Sequence, residues 1–153
     1  MFFRVNVMSL LAVVFAMSSM VVSAPVEPRQ IGNLLCNIDR LKIVVGLGKT
    51  ITAVSSLATA GASDPAVMNA TTTAQDGLTG AKTGIATIAS ALLTGQTAPA
   101  AARTQVGDGL SAALAALTSI NSTDSAIVSA LTTAQSLLAD AQTAGQGVVT
   151  NCK

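Results

Sequence analysis

The chain has no histidine, tryptophan or tyrosine, and its three phenylalanines, Phe2, Phe3 and Phe15, all fall in a short leader at the amino terminus. Beyond that leader no aromatic ring remains. No side chain titrates near neutrality of its own accord, so general acid–base catalysis lacks its usual carrier. Stacking platforms for bases are missing too, which argues against a nucleic-acid binder. Serine is plentiful, yet none has a possible histidine partner, and neither a Gly-x-Ser-x-Gly elbow nor a Ser-x-x-Lys pair occurs. These absences predict a protein that is not an enzyme and carries no cofactor.

Charge is scarce as well. Without Arg4 of the leader, Arg29, Arg40, Lys42, Lys49, Lys82, Arg103 and Lys153 balance Glu27, Asp39, Asp64, Asp76, Asp108, Asp124 and Asp140. Charged residues make up 10% of the chain, less than half of the roughly 25% usual in soluble proteins. The surface is therefore expected to be built from Ala, Thr, Ser, Gly and Gln. Asp39, Asp76, Asp108 and Asp140 come one to a helical segment, with no second carboxylate one turn away. They read as solvated charges, and no metal site is expected.

What is present begins with the leader. Arg4 precedes an apolar run from Val7 to Val22, broken only by Ser9, Ser18 and Ser19 and followed by the small residues Ser23 and Ala24. This pattern predicts a secretory signal peptide over 1–23, with Ala24 opening a single mature domain over 24–153. The run is short for a membrane span, and Thr150 to Lys153 offers no apolar tail, so a secreted product without a transmembrane span is expected.

In the mature region periodicity decides for helix. Val67, Thr71, Ala74, Leu78, Ala81, Ile85, Ile88 and Leu92 follow an unbroken 4-3 alternation, opened by Asp64-Pro65 and closed by Gly95. A second stripe, Val106, Leu110, Ala113, Leu117 and Ile120, follows Thr97-Ala98-Pro99; a third, Ile127, Leu131, Ala134, Leu138 and Ala141, opens near Asp124 and is expected to stop at Gly145 and Gly147. Earlier, a broader apolar face includes Leu34, Ile38, Leu41, Val44, Val45, Leu47, Ile51 and Val54, with Gly46 and Gly48 read as places of close packing. Helices are thus expected at about 29–60, 65–94, 99–120 and 124–145, in an all-α, antiparallel up-down four-helix bundle. Asp76-Gly77-Leu78 recurs as Asp108-Gly109-Leu110, an echo consistent with a duplicated unit or with shared composition.

That topology brings Cys36, near the start of the first helix, and Cys152, just past the fourth, to the same pole, so the two are expected to form a disulfide. Acceptor sequons for N-glycans stand at Asn121, in a turn, and at Asn69, inside the first turns of the second helix. Thr72, Thr83 and Thr94 recur every 11 residues, as do Thr132 and Thr143. The abundance of threonine explains this better than an ice-binding ladder.

The leader, the following Ala24-Pro25-Val26-Glu27, the segment Arg29-Gln30-Ile31-Gly32-Asn33-Leu34-Leu35-Cys36-Asn37-Ile38-Asp39-Arg40-Leu41 and the Ala/Ser/Thr-rich helical remainder together resemble small secreted fungal proteins. The group they look most like is the hydrophobic surface-binding protein A / cell wall galactomannoprotein family. The resemblance implies an extracellular or cell-wall location, adsorption to hydrophobic surfaces and, in some relatives, lipid binding between helices. Sparse charge supports adsorption independently, because such a surface loses little hydration on meeting an apolar one. An extracellular carrier of a fatty acid or sterol, and a secreted effector that binds a protein, are the alternative expectations.

Overall fold

The computed structural model describes residues 34–152. The signal-peptide expectation, the 24–33 segment and Lys153 lie outside the described residues. Four α-helices follow in order: α1 (Leu34–Ala60), α2 (Pro65–Leu93), α3 (Ala100–Thr118) and α4 (Ser125–Asn151), and no strand occurs among the described residues. They form the expected antiparallel bundle.

The helix starts and stops have local causes. The Asp64 carboxylate accepts from the amides of Ala66 and Val67 at 2.8 and 3.3 Å, with Pro65 as the first helical residue of α2. Asp124 repeats the device on α4, accepting from Ala126 and Ile127 at 2.8 and 3.2 Å. At the end of α2, Gly95 takes φ of +71°, and the amides of Gly95 and Gln96 close back onto the carbonyls of Leu92 and Ala91.

The expected stop at Gly145 and Gly147 is wrong, for α4 runs through both to Asn151. A Cβ on Gly147 would stand 2.6 Å from Asp39 Oδ2, and one on Gly145 would stand 3.3 Å from Ile43 Cδ1. These glycines make room for α1; they do not end a helix. Gly46 likewise lets the two helices approach, a Cβ there lying 3.3 Å from Ala141, whereas Gly48 faces open space.

The four helices associate as two intimate pairs, α1 with α4 and α2 with α3, and the pairs meet each other less extensively. The Asp-Gly-Leu echo marks the crossing of the second pair. A Cβ on Gly77 would come within 2.7 Å of the Gly109 carbonyl oxygen, and Gly109 faces the Gly77 carbonyl in return. Leu78 and Leu110 enter the core from this crossing, while Asp76 and Asp108 stay exposed. Between the pairs lies an aliphatic layer in which Val54, Leu57, Leu78, Leu117 and Leu138 are fully buried. The two buried hydroxyls, Thr50 and Thr71, bond to the carbonyls of Gly46 and Met68 at 2.9 and 3.0 Å.

Cys36 and Cys152 are bonded, with their Cα atoms 5.0 Å apart. The starts of α1 and α3 and the ends of α2 and α4 share this cystine pole. Both covalent links at that pole, the disulfide and the 94–99 turn, stay within a pair. Both links at the far pole, 61–64 and 119–124, join one pair to the other.

Candidate functional site

On α1 the apolar residues fall into two sets. Cys36, Ile43, Leu47, Val54 and Leu57 are buried against the bundle. Leu34, Ile38, Leu41 and Val45, spaced one or nearly one turn apart, form a stripe on the outer side. Leu34 is 74% exposed and Leu41 65%, with Leu35 and Val44 also exposed beside them. Of the broad apolar face read from the sequence, Leu34, Ile38, Leu41, Val44 and Val45 are therefore surface, Leu47 and Val54 are core and Ile51 is half-buried. The breadth of that face was the available signal, since one face of a helix in a bundle cannot bury apolar residues all round it.

The outer face of α1 changes character midway. One turn-multiple beyond Val45 stand Thr52, Ser56 and Thr59, all exposed, their hydroxyls donating to the carbonyls of Gly48, Thr52 and Ser55 at 3.2, 3.1 and 3.0 Å. Two further aliphatic side chains at the ends of other helices, Leu93 (89% exposed) and Val149 (74%), stand at the cystine pole. By length and composition α1 could cross a membrane, its most apolar window reaching a mean hydropathy of 1.5. Its inner stripe and the Cys36–Cys152 bond nevertheless seat it in the bundle.

Beside the stripe Lys42 and Lys49 are exposed. Lys42 Nζ lies 3.8 Å from Asp39 Oδ1. Asp39 is not the solvated charge expected from sequence. Its carboxylate sits over Gly147 and accepts from Asn151 Nδ2 at 2.7 Å, which ties α1 to the last turn of α4. Asp76, Asp108 and Asp140 are exposed, and no group of three His, Cys, Asp or Glu side chains suited to a metal occurs among the described residues.

Two concavities accompany this surface. A slot of about 140 Å³ between α1 and α2 is lined by Val44, Leu47, Gly48, Ile51, Lys82 and Ile85. A shallow, open groove of about 560 Å³ runs outside the α2–α3 crossing, over Gly77, Gly80, Ala101, Gln105, Asp108 and Ala112. The first is apolar but small. Ligand pockets for lipid-sized molecules generally span roughly 300–1,000 Å³.

The sequons separate from this region. Asn121 is exposed in the 119–124 turn and Asn69 is exposed on the first turns of α2, both toward the far pole, although the Thr71 hydroxyl of the second sequon is buried. Thr72, Thr83, Thr94, Thr132 and Thr143 are exposed, but each hydroxyl bonds to the carbonyl four residues earlier on its own helix. Comparison of the chain with protein-family profiles, with curated proteins and with solved structures finds no match in any of the three.

Proposed function

We propose that this is a secreted, non-enzymatic protein of the cell surface or cell wall that adsorbs to hydrophobic surfaces. The observation that carries the reading is the exposed aliphatic stripe Leu34, Ile38, Leu41 and Val45 at the cystine pole. Covering each such side chain contributes on the order of 1 kcal/mol, so a handful of them suffices for reversible attachment. The Cys36–Cys152 bond agrees with an oxidising, extracellular compartment, and the apolar leader with a route there.

The pairing of helices suggests how attachment deepens. The pairs are joined covalently only at the far pole, so they can part at the cystine pole and turn Leu47, Ile85 and their neighbours toward the surface while each pair stays intact. The fatty acid or sterol carrier reading is weaker, because the α1–α2 slot would have to enlarge at least about twofold to hold such a ligand.

The test is depletion of the protein from solution by wax or polystyrene beads. With no Trp or Tyr in the chain, the protein is followed by far-ultraviolet absorbance. Adsorption that falls when Leu41 and Val45 are both changed to Ser supports the reading. A protein that stays in solution at low and high salt alike overturns it.

A further inference from the structure

The described cations are not spread evenly. Arg40, Lys42 and Lys49 lie in the first part or middle of α1, Lys82 in the second half of α2 and Arg103 in the first turn of α3, so all five stand toward the cystine pole or at mid-bundle. No Lys or Arg occurs over 50–81 or 104–152. The far pole instead carries Asp64 and Asp124, together with both sequons, while Asp76 stands at mid-bundle beside the Gly77–Gly109 crossing. Of the other acids, Asp39 is held by Asn151 and Lys42, Asp108 faces the outer α2–α3 groove at mid-bundle and Asp140 is exposed on α4.

The cations and the aliphatic stripe coincide. Lys42 follows Leu41 by one residue, and Lys49 follows Val45 by four and Lys42 by seven, which places both lysines along one flank of the stripe. An aliphatic stripe flanked by lysine is the pattern of a helix that lies in a membrane interface, its apolar side among acyl chains and its ammonium groups at phosphates. We infer that the amino-terminal half of α1 docks on the surface of an anionic phospholipid bilayer. Charge selects this occupant over a neutral one: the lysine-bearing end faces the lipid, while the acidic, sequon-bearing end points away. The inference rests on the adsorption reading and gives it a partner.

The test expresses the full chain in a secreting host and measures flotation with vesicles of phosphatidylcholine alone and of phosphatidylcholine mixed with phosphatidylglycerol. Binding is expected to favour the anionic vesicles and to weaken with salt. Lys42→Gln with Lys49→Gln should lower affinity for anionic vesicles roughly 25-fold, about fivefold for each cation, and leave bead adsorption unchanged. Leu41→Ser with Val45→Ser should weaken both. All four positions are exposed, and far-ultraviolet circular dichroism checks that each variant remains helical.

Equal binding to both vesicle types, or an unchanged affinity in the lysine variant, overturns the inference. Adsorption to beads without binding to anionic vesicles overturns it while the adsorption reading stands; lysine-dependent vesicle binding without bead adsorption does the reverse. A stable dimer that ignores vesicles and that Leu41→Ser returns to monomer makes a second copy the occupant, and this too overturns the inference.

Discussion

The two poles of the bundle are built from the same small residues but held together by different means. At the far pole Leu57, Val67, Leu117 and Ile127 converge in the core, Asp64 and Asp124 cap the departing helices, and the outer face of α1 is Ser and Thr. Toward the cystine pole burial thins. Before Leu47, α1 buries only Cys36 and Ile43, and beyond Gly84 no residue of α2 is fully buried. A covalent bond, with the Asn151–Asp39 hydrogen bond beside it, does there what aliphatic packing does at the other end. The lesson is that a disulfide at one pole frees leucine, isoleucine and valine from core duty. Those side chains are then available to an external surface.

The comparison breaks most severely if the bond is removed. Replacing Cys36 and Cys152 by Ser should cost about 4 to 5 kcal/mol in the loop-entropy account, since the closed loop spans a sequence separation of 116. Urea denaturation measures the loss, and hydrogen exchange should quicken first in the opening turns of α1 and the last turns of α4. Next in size is the contrast between two leucines of the same helix. Leu57→Ala removes a fully buried side chain and should cost about 3 kcal/mol, whereas Leu41→Ala at the exposed stripe should stay within about 0.5 kcal/mol. Equal effects in thermal unfolding would abolish the distinction between the poles. The smallest effect concerns the caps: Asp64→Ala should cost about 1 kcal/mol and loosen the first turn of α2. Calorimetry resolves a change of that size.

Much of the architecture was legible because its causes are local. The alternation from Val67 to Leu92 marks the inner side of α2, Asp64-Pro65 and Gly95 mark its ends, and the placing of Cys36 and Cys152 follows from four antiparallel segments. What escaped depends on which helix faces which. Gly145 and Gly147 look like breakers until Ile43 and Asp39 are seen pressing on them. Asp39 looks solvated until Asn151 reaches it. The Asp-Gly-Leu echo was visible, but not that its two glycines touch. For the candidate site, the stripe residues Leu34, Ile38, Leu41 and Val45 were identified as apolar face, whereas Ile43 and Leu57 of the core were passed over and the division between core and surface needed the position of α4. The absence of Lys and Arg over 50–81 and 104–152 was legible in residue order, and it acquired meaning only when the chain path left the far pole without a cation among the described residues.

The cystine also changes what the molecule is topologically. From Cys36 to Cys152 the backbone and the disulfide make a closed ring with four helical sides. A single proteolytic nick in 61–64, 94–99 or 119–124 would open that ring without releasing a fragment. Exposed turns, normally the weak points of a small protein that meets a protease, are here places where one cut leaves every helix still attached.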